Sequence, residues 1–150
     1  MKKRILLSFV VVLVIIQFIR PAKNLSTTIS SNDIATKFAV PENVHLILEK
    51  ACYDCHSDNT YYPWYSNIQP IGWWLQHHVT EGRRELNFNE FAKYPSKKQD
   101  HKLKELIETV KEGEMPLNSY TWVHQEAKLS EQEKQVLVDW AQGIRNRIIL

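Results

Sequence analysis

Five consecutive residues, Cys52 to His56 ("CYDCH"), constrain this chain more than any other feature. They hold the only two cysteines among its 150 residues. Two thiols three positions apart, followed at once by an imidazole, admit a short list of chemistries. A thioredoxin-like redox pair requires a strand before the motif in a βαβ setting. A closed structural zinc site requires four ligands, commonly a second cysteine pair or a spaced histidine pair. The chain has no second cysteine pair, and none of its six histidines forms the H-x(3–5)-H pair of a finger. A disulfide between Cys52 and Cys55 would close a tiny loop and stabilise little. Covalent haem attachment uses every residue of the motif, because C-x-x-C-H is the c-type signature. Each thiol adds across a haem vinyl group to give a thioether, and the histidine offers its imidazole to the iron. On a helical turn, positions i, i+3 and i+4 share one face, so Cys52, Cys55 and His56 can address a single porphyrin.

The surrounding pattern supplies helices and no convincing alternating strand. Pro41 is a good first-turn residue, and Val44, Ile47, Leu48 and Ala51 follow at helical spacing into Cys52. Residues 57–69, "SDNTYYPWYSNIQ", read as an aromatic loop. Pro70 opens a second helix reaching about Arg84, and "NFNEFAKYP" connects it to a third. That third helix starts at Ser96, repeats Leu103, Leu106, Ile107 and Val110, and ends near Gly113. Ser130 and Glu133 match a capping box for a last helix with Leu137, Trp140, Ala141 and Ile144 on its apolar stripe. The expected fold is all-α.

The sequence divides into three expected parts. Residues 1–20 read as a signal anchor, a single transmembrane helix. Lys2-Lys3-Arg4 precede an uncharged run, Ile5 to Ile19, which as a helix spans roughly 22 Å against about 30 Å of hydrocarbon. "RPAKNLSTTISS" after it has no clear small-residue cleavage site, so the anchor is expected to be retained. Residues 21–40 read as a tether, and 41–150 as the haem-binding domain. The net charge of +2 is a property of the N-terminus. Residues 1–23 hold five basic and no acidic residues, which leaves 14 basic and 17 acidic residues of the totals of 19 and 17, a net of −3 beyond it. Nothing there resembles a nucleic-acid-binding stripe. The positive end is expected in the cytoplasm and the domain on the exported, periplasmic side of the cell membrane.

A second axial ligand is sought among one methionine and several histidines. Met1 begins the cytoplasmic tail, so Met115 in "KEGEMPLNSY" is the only thioether of the domain. It stands in a loop before Pro116, and a loop can present sulfur across a planar cofactor. His77 and His78 on the second helix and His124 after "SYTW" are the competing ligands. Trp64, Tyr65, Trp73 and Trp74 are candidates for an aromatic sheath around the haem.

"CYDCHS", "YPWYSNIQPIGWWLQHHVTEGRRELNF" and "GEMP" together resemble the small bacterial haem-binding domain family of monohaem c-type cytochromes, over Val44 to Ile144. The resemblance implies a cytochrome c-like helical domain around one haem c, attached at Cys52 and Cys55. It implies His56 as the proximal and Met115 as the distal iron ligand. The chain departs from the common Met-Pro-Pro at Leu117. Two permanent ligands leave no open iron position, which favours a carrier of single electrons over an enzyme. The expected partners are membrane-associated redox proteins and, through the N-terminal helix, the lipid bilayer. A haem-based sensor or peroxidase-like enzyme with a displaceable distal ligand is the alternative.

Overall fold

The computed structural model describes residues 1–26, 28 and 30–149. Thr27 and Ile29 of the expected tether, and Leu150 at the end of the expected domain, lie outside these. Among the described residues all regular structure is helical. Seven α-helices follow one another: α1 (Lys2–Ile16), α2 (Glu42–Ala51), α3 (Tyr53–His56), α4 (Ile71–Glu85), α5 (Ser96–Glu112), α6 (Asn118–Thr121) and α7 (Glu131–Ile149). Short 3₁₀ turns at Ile34–Thr36, Trp64–Asn67, Phe88–Lys93 and Gln125–Ala127 join them.

The core lies where α2, α5 and α7 meet. Their apolar stripes bury Val44, Ile47 and Leu48, then Leu103 and Ile107, then Leu137, Ala141 and Ile144. Removing each large aliphatic side chain from water contributes about 1.5–3 kcal/mol. Phe88 and Phe91, from the turn after α4, close one end. Gln99 is the polar exception. It is fully buried, but its amide donates to the carbonyls of Phe91 (3.0 Å) and Ala92 (3.3 Å) and accepts from Lys37 Nζ (3.0 Å). A buried amide so partnered escapes most of the cost of desolvation.

The helix ends follow the local chemistry. Ser130 Oγ accepts from Glu133 N (3.2 Å) while Glu133 Oε2 accepts from Ser130 N (2.9 Å), the reciprocal capping box expected for α7. Gly113 takes φ 75° at the end of α5, where a residue with Cβ is strained. The reversal lets Thr109 O accept from both Glu114 N (2.9 Å) and Met115 N (3.2 Å).

Packing extends further toward the N-terminus than a tether implies. Ile34 is fully buried and Phe38 nearly so, and Ala39 O accepts from Trp140 Nε1 at 3.0 Å. Asn24 Nδ2 donates to Ser57 O and Thr60 Oγ1, each at 2.9 Å. These apolar residues lack a helical period, so the pattern that reveals the helices is silent here. The N-terminal helix also differs from expectation. The apolar run reaches Ile19, but α1 stops at Ile16 and buries no residue. Among the described residues no helix is long and apolar enough to cross a membrane.

Candidate functional site

The motif occupies the junction of two helices. α2 ends at Ala51, and Cys52 leaves the helical path at φ −128° before α3 begins. Cys52 O then accepts from Cys55 N (3.1 Å) and His56 N (2.9 Å), which closes the single turn. Cys52, Cys55 and His56 all line one cavity of about 630 Å³, of the size that holds organic cofactors. Met115 lines the same cavity. The structure therefore brings together all four residues singled out from the sequence. Two of them come from α3, and the last from a loop some sixty positions later in the chain.

Several contacts fix the motif. His56 Nδ1 lies 2.9 Å from the Leu86 carbonyl. A carbonyl only accepts, so Nδ1 carries the hydrogen and Nε2 is the free nitrogen. Burial lowers the His56 pKa below its ordinary value and keeps the ring neutral. Asp54, between the cysteines, accepts from Tyr120 OH (2.7 Å) and from Tyr61 N (3.0 Å), tying the turn to α6 and to the aromatic loop. Beyond the motif, Asp58 Oδ1 accepts from Arg83 Nη2 (2.6 Å) and Asn87 Nδ2 (2.7 Å). Gly82 of α4 sits against Cys55. A Cβ there would stand 2.6 Å from Cys55 O and 3.0 Å from Cys55 Cβ, so only glycine allows this approach.

Both thiols are held protonated. Burial, with Cys55 nearby, pushes Cys52 up to about 12, and burial pushes Cys55 up to about 11 with a smaller push from Asp54. A working redox pair needs the opposite shift, because the thiolate is the nucleophile. Among the described residues no cluster of three or more His, Cys, Asp or Glu side chains is poised around a metal-sized point.

The cavity walls are apolar: Leu86, Phe88, Leu106, Val110 and Leu117. Its rim is charged. Lys102 Nζ bridges Glu85 (3.0 Å) and Glu105 (2.7 Å) across the gap between α4 and α5. This chemistry fits a flat apolar cofactor with an iron centre: an imidazole with a free Nε2, a thioether, two thiols on one turn, and aliphatic walls.

The aromatic sheath lies elsewhere than expected. None of Trp64, Tyr65, Trp73 and Trp74 lines the cavity. They belong to the loop and first turn of α4, whereas the cavity is bounded by the later part of that helix, from His77 to Glu85. Of the competing histidines, His77 and His78 line the cavity, and His78 Nδ1 lies 2.8 Å from Trp74 O. His124 instead stacks on Tyr120 (4.4 Å between centroids) and lies 2.8 Å from Tyr65 OH. Sequence reasoning missed Gly82, the Leu86 carbonyl and Tyr120. A glycine inside a helical pattern was the available signal for the first, and a backbone carbonyl offers none.

The model of a family described as the haem-binding domain matches residues 11–143, most of the chain. The match begins inside α1 and includes Ile34 and Phe38, which the core buries. No curated protein and no solved structure matches the chain.

Proposed function

We propose that this chain, which belongs to the haem-binding domain family and binds haem, is a membrane-anchored monohaem c-type cytochrome. In this reading it transfers single electrons on the exported side. One observation carries the reading: the only two thiols of the chain, the imidazole that follows them and the only methionine of the domain line one apolar cavity. Cys52 and Cys55 hold the group as thioethers. His56 offers Nε2 to the iron, and the Leu86 carbonyl holds Nδ1–H, which fixes the tautomer and raises the basicity of the ligating nitrogen. Met115 offers its thioether as the sixth ligand, its backbone N–H tied to Thr109 O. Bound haem supplies one-electron chemistry by cycling its iron between ferrous and ferric states. The aliphatic walls exclude water and favour the less charged, reduced form, as a thioether ligand does. With His56 and Met115 both committed to holding the group, the site would transfer electrons rather than act on a substrate.

The anchor in this reading is α1, which opens with Lys2, Lys3 and Arg4 and then runs apolar and exposed from Ile5 to Ile15. Its basic end stays in the cytoplasm, and the haem domain faces the periplasm. Confinement near the membrane raises the effective concentration seen by membrane-associated redox partners.

One observation favours a second reading of the distal side. His78 also has its Nδ1 held by a carbonyl and lines the cavity, so its Nε2 is available as the sixth ligand. The ferric protein, made in a host competent for cytochrome maturation, decides between them. Methionine ligation gives a weak far-red charge-transfer band. Met115→Ala should abolish the band, lower the reduction potential and open the iron to cyanide. A wild-type protein without the band, whose spectrum and potential shift in His78→Ala and not in Met115→Ala, assigns the histidine instead.

A further inference from the structure

The stretch Asn59 to Thr80 contains no Asp, Glu, Lys or Arg, in a chain that is 24% charged, and holds three of the five tryptophans. None of these tryptophans lines the haem cavity, although Trp74 packs on the cavity-lining His78 at 4.3 Å between ring centroids, and the core does not bury them. Trp64 is 77% exposed, Trp74 49%, Ile71 44% and Ile68 43%. Ile71 and Trp74 stand three apart on the first turn of α4, on one face, with Ile68 and Trp64 in the turn just before. Single exposed apolar side chains are ordinary, but two tryptophans and two isoleucines exposed within one uncharged stretch mark a surface meant to be covered.

The end of α1 is fastened to this same surface. Gln17 Oε1 accepts from Gln69 N (2.9 Å), and Gln17 Nε2 donates to Gln69 O (3.1 Å). Trp73 Nε1 donates to Ile19 O at 2.7 Å. The apolar helix therefore leaves the domain beside the exposed tryptophans. Whatever medium takes α1 also meets them.

The apolar part of α1 is short for a span. Its 15 residues less Lys2, Lys3 and Arg4 leave 12, which reach roughly 18 Å, about 12 Å short of a hydrocarbon core near 30 Å. An apolar face lying in the headgroup boundary buries about 5–10 Å. Tryptophan favours that boundary, where its ring is buried and its N–H stays wet.

We propose that Trp64, Ile68, Ile71 and Trp74 form a membrane-interface footing that seats the haem domain on the lipid headgroup layer at the base of α1. The footing rests on the reading of α1 as an anchor and goes beyond it. A bare anchor lets the domain swing on its stalk, whereas a footing fixes which side of the domain faces the bilayer.

The full haem-loaded chain, reconstituted in vesicles of phosphatidylcholine and phosphatidylglycerol, tests it. Ile68→Cys and Asp139→Cys each introduce one cysteine for a nitroxide label, and the unsubstituted chain carried through labelling gives the background. The readout is the ratio of collision with oxygen to collision with a water-soluble nickel chelate. The footing predicts a ratio severalfold higher at position 68 than at the exposed position 139 on α7. It also predicts that Trp64→Glu/Trp74→Glu still floats with the vesicles while the ratio at position 68 falls to that at 139. Flotation with equal ratios in the parent overturns the footing and leaves the anchor standing. A chain that does not float overturns the anchor and the footing together.

Discussion

Helix α5 serves two regions built on opposite terms. Along α7, its Leu103 and Ile107 meet Leu137, Ala141 and Ile144, and the apolar stripe of each helix is fully satisfied by protein. Toward α3 and α4, its Leu106 and Val110 face a cavity of about 630 Å³. There Gly82 of α4 packs closely against Cys55 of α3. One region is a finished core. The other is a core with its central piece left to a cofactor. The difference predicts that changes in the first act on stability alone, and changes in the second act on haem uptake.

Leu103→Ala is the largest test of the finished side. Leu103 is fully buried, so the loss should be about 2–5 kcal/mol of unfolding free energy. The loss should be the same with and without haem in denaturant titrations, and the haem content of the folded fraction should not change. A selective loss of haem would mean that the two regions are one.

A pair of identical substitutions sharpens the contrast. Gly82→Ala forces the backbones of α3 and α4 apart and should destabilise by about 1–3 kcal/mol while cutting haem content sharply. At Gly143 in α7 a Cβ meets nothing within 4 Å, so Gly143→Ala should stabilise by about 0.5–1 kcal/mol and leave haem content alone. Effects of the same sign would break the comparison.

Of similar size to the Gly143 effect is Ser130→Ala, which removes the hydroxyl half of the capping box on α7 and should cost about 1 kcal/mol with an unchanged absorption spectrum. The least effect belongs to pH. Burial depresses the His56 pKa in the folded haem-free chain, so the unfolded chain binds the proton more readily. Stability from this group is complete above its unfolded value near 6.5 and is lost as pH falls through the folded value. His56→Gln should flatten that part of the profile, measured by thermal unfolding of the haem-free protein across mildly acidic pH. A profile unchanged by the substitution would place the acid sensitivity elsewhere.

The helices were legible in the sequence because their apolar residues repeat at helical spacing. Leu103, Leu106, Ile107 and Val110, the stop at Gly113 and the Ser130–Glu133 cap all stand where the pattern puts them. Of the site, the four chemical residues were legible, since a C-x-x-C-H run and a lone methionine stand out by type. The parts that position them were not. The Leu86 carbonyl is backbone, and Gly82 matters through a contact across helices that spacing along one helix does not encode. The aromatic residues misled for a related reason. Trp64, Tyr65, Trp73 and Trp74 look like a haem sheath by composition, yet two of them are exposed beside the end of α1 and aliphatic residues of α5 line the cavity instead. Ile34 and Phe38 anchor the segment after α1 without any period to betray it.

The central claim, that the open region is completed by a covalently held haem, has one direct measurement. The protein is made in a host competent for cytochrome maturation, denatured, and weighed intact by mass spectrometry beside its Cys52→Ala/Cys55→Ala variant. The account predicts a wild-type chain heavier by the mass of one haem, retained through denaturation, and a variant at the bare polypeptide mass. A wild-type chain at its bare mass, or a variant that still carries haem through denaturation, would contradict it.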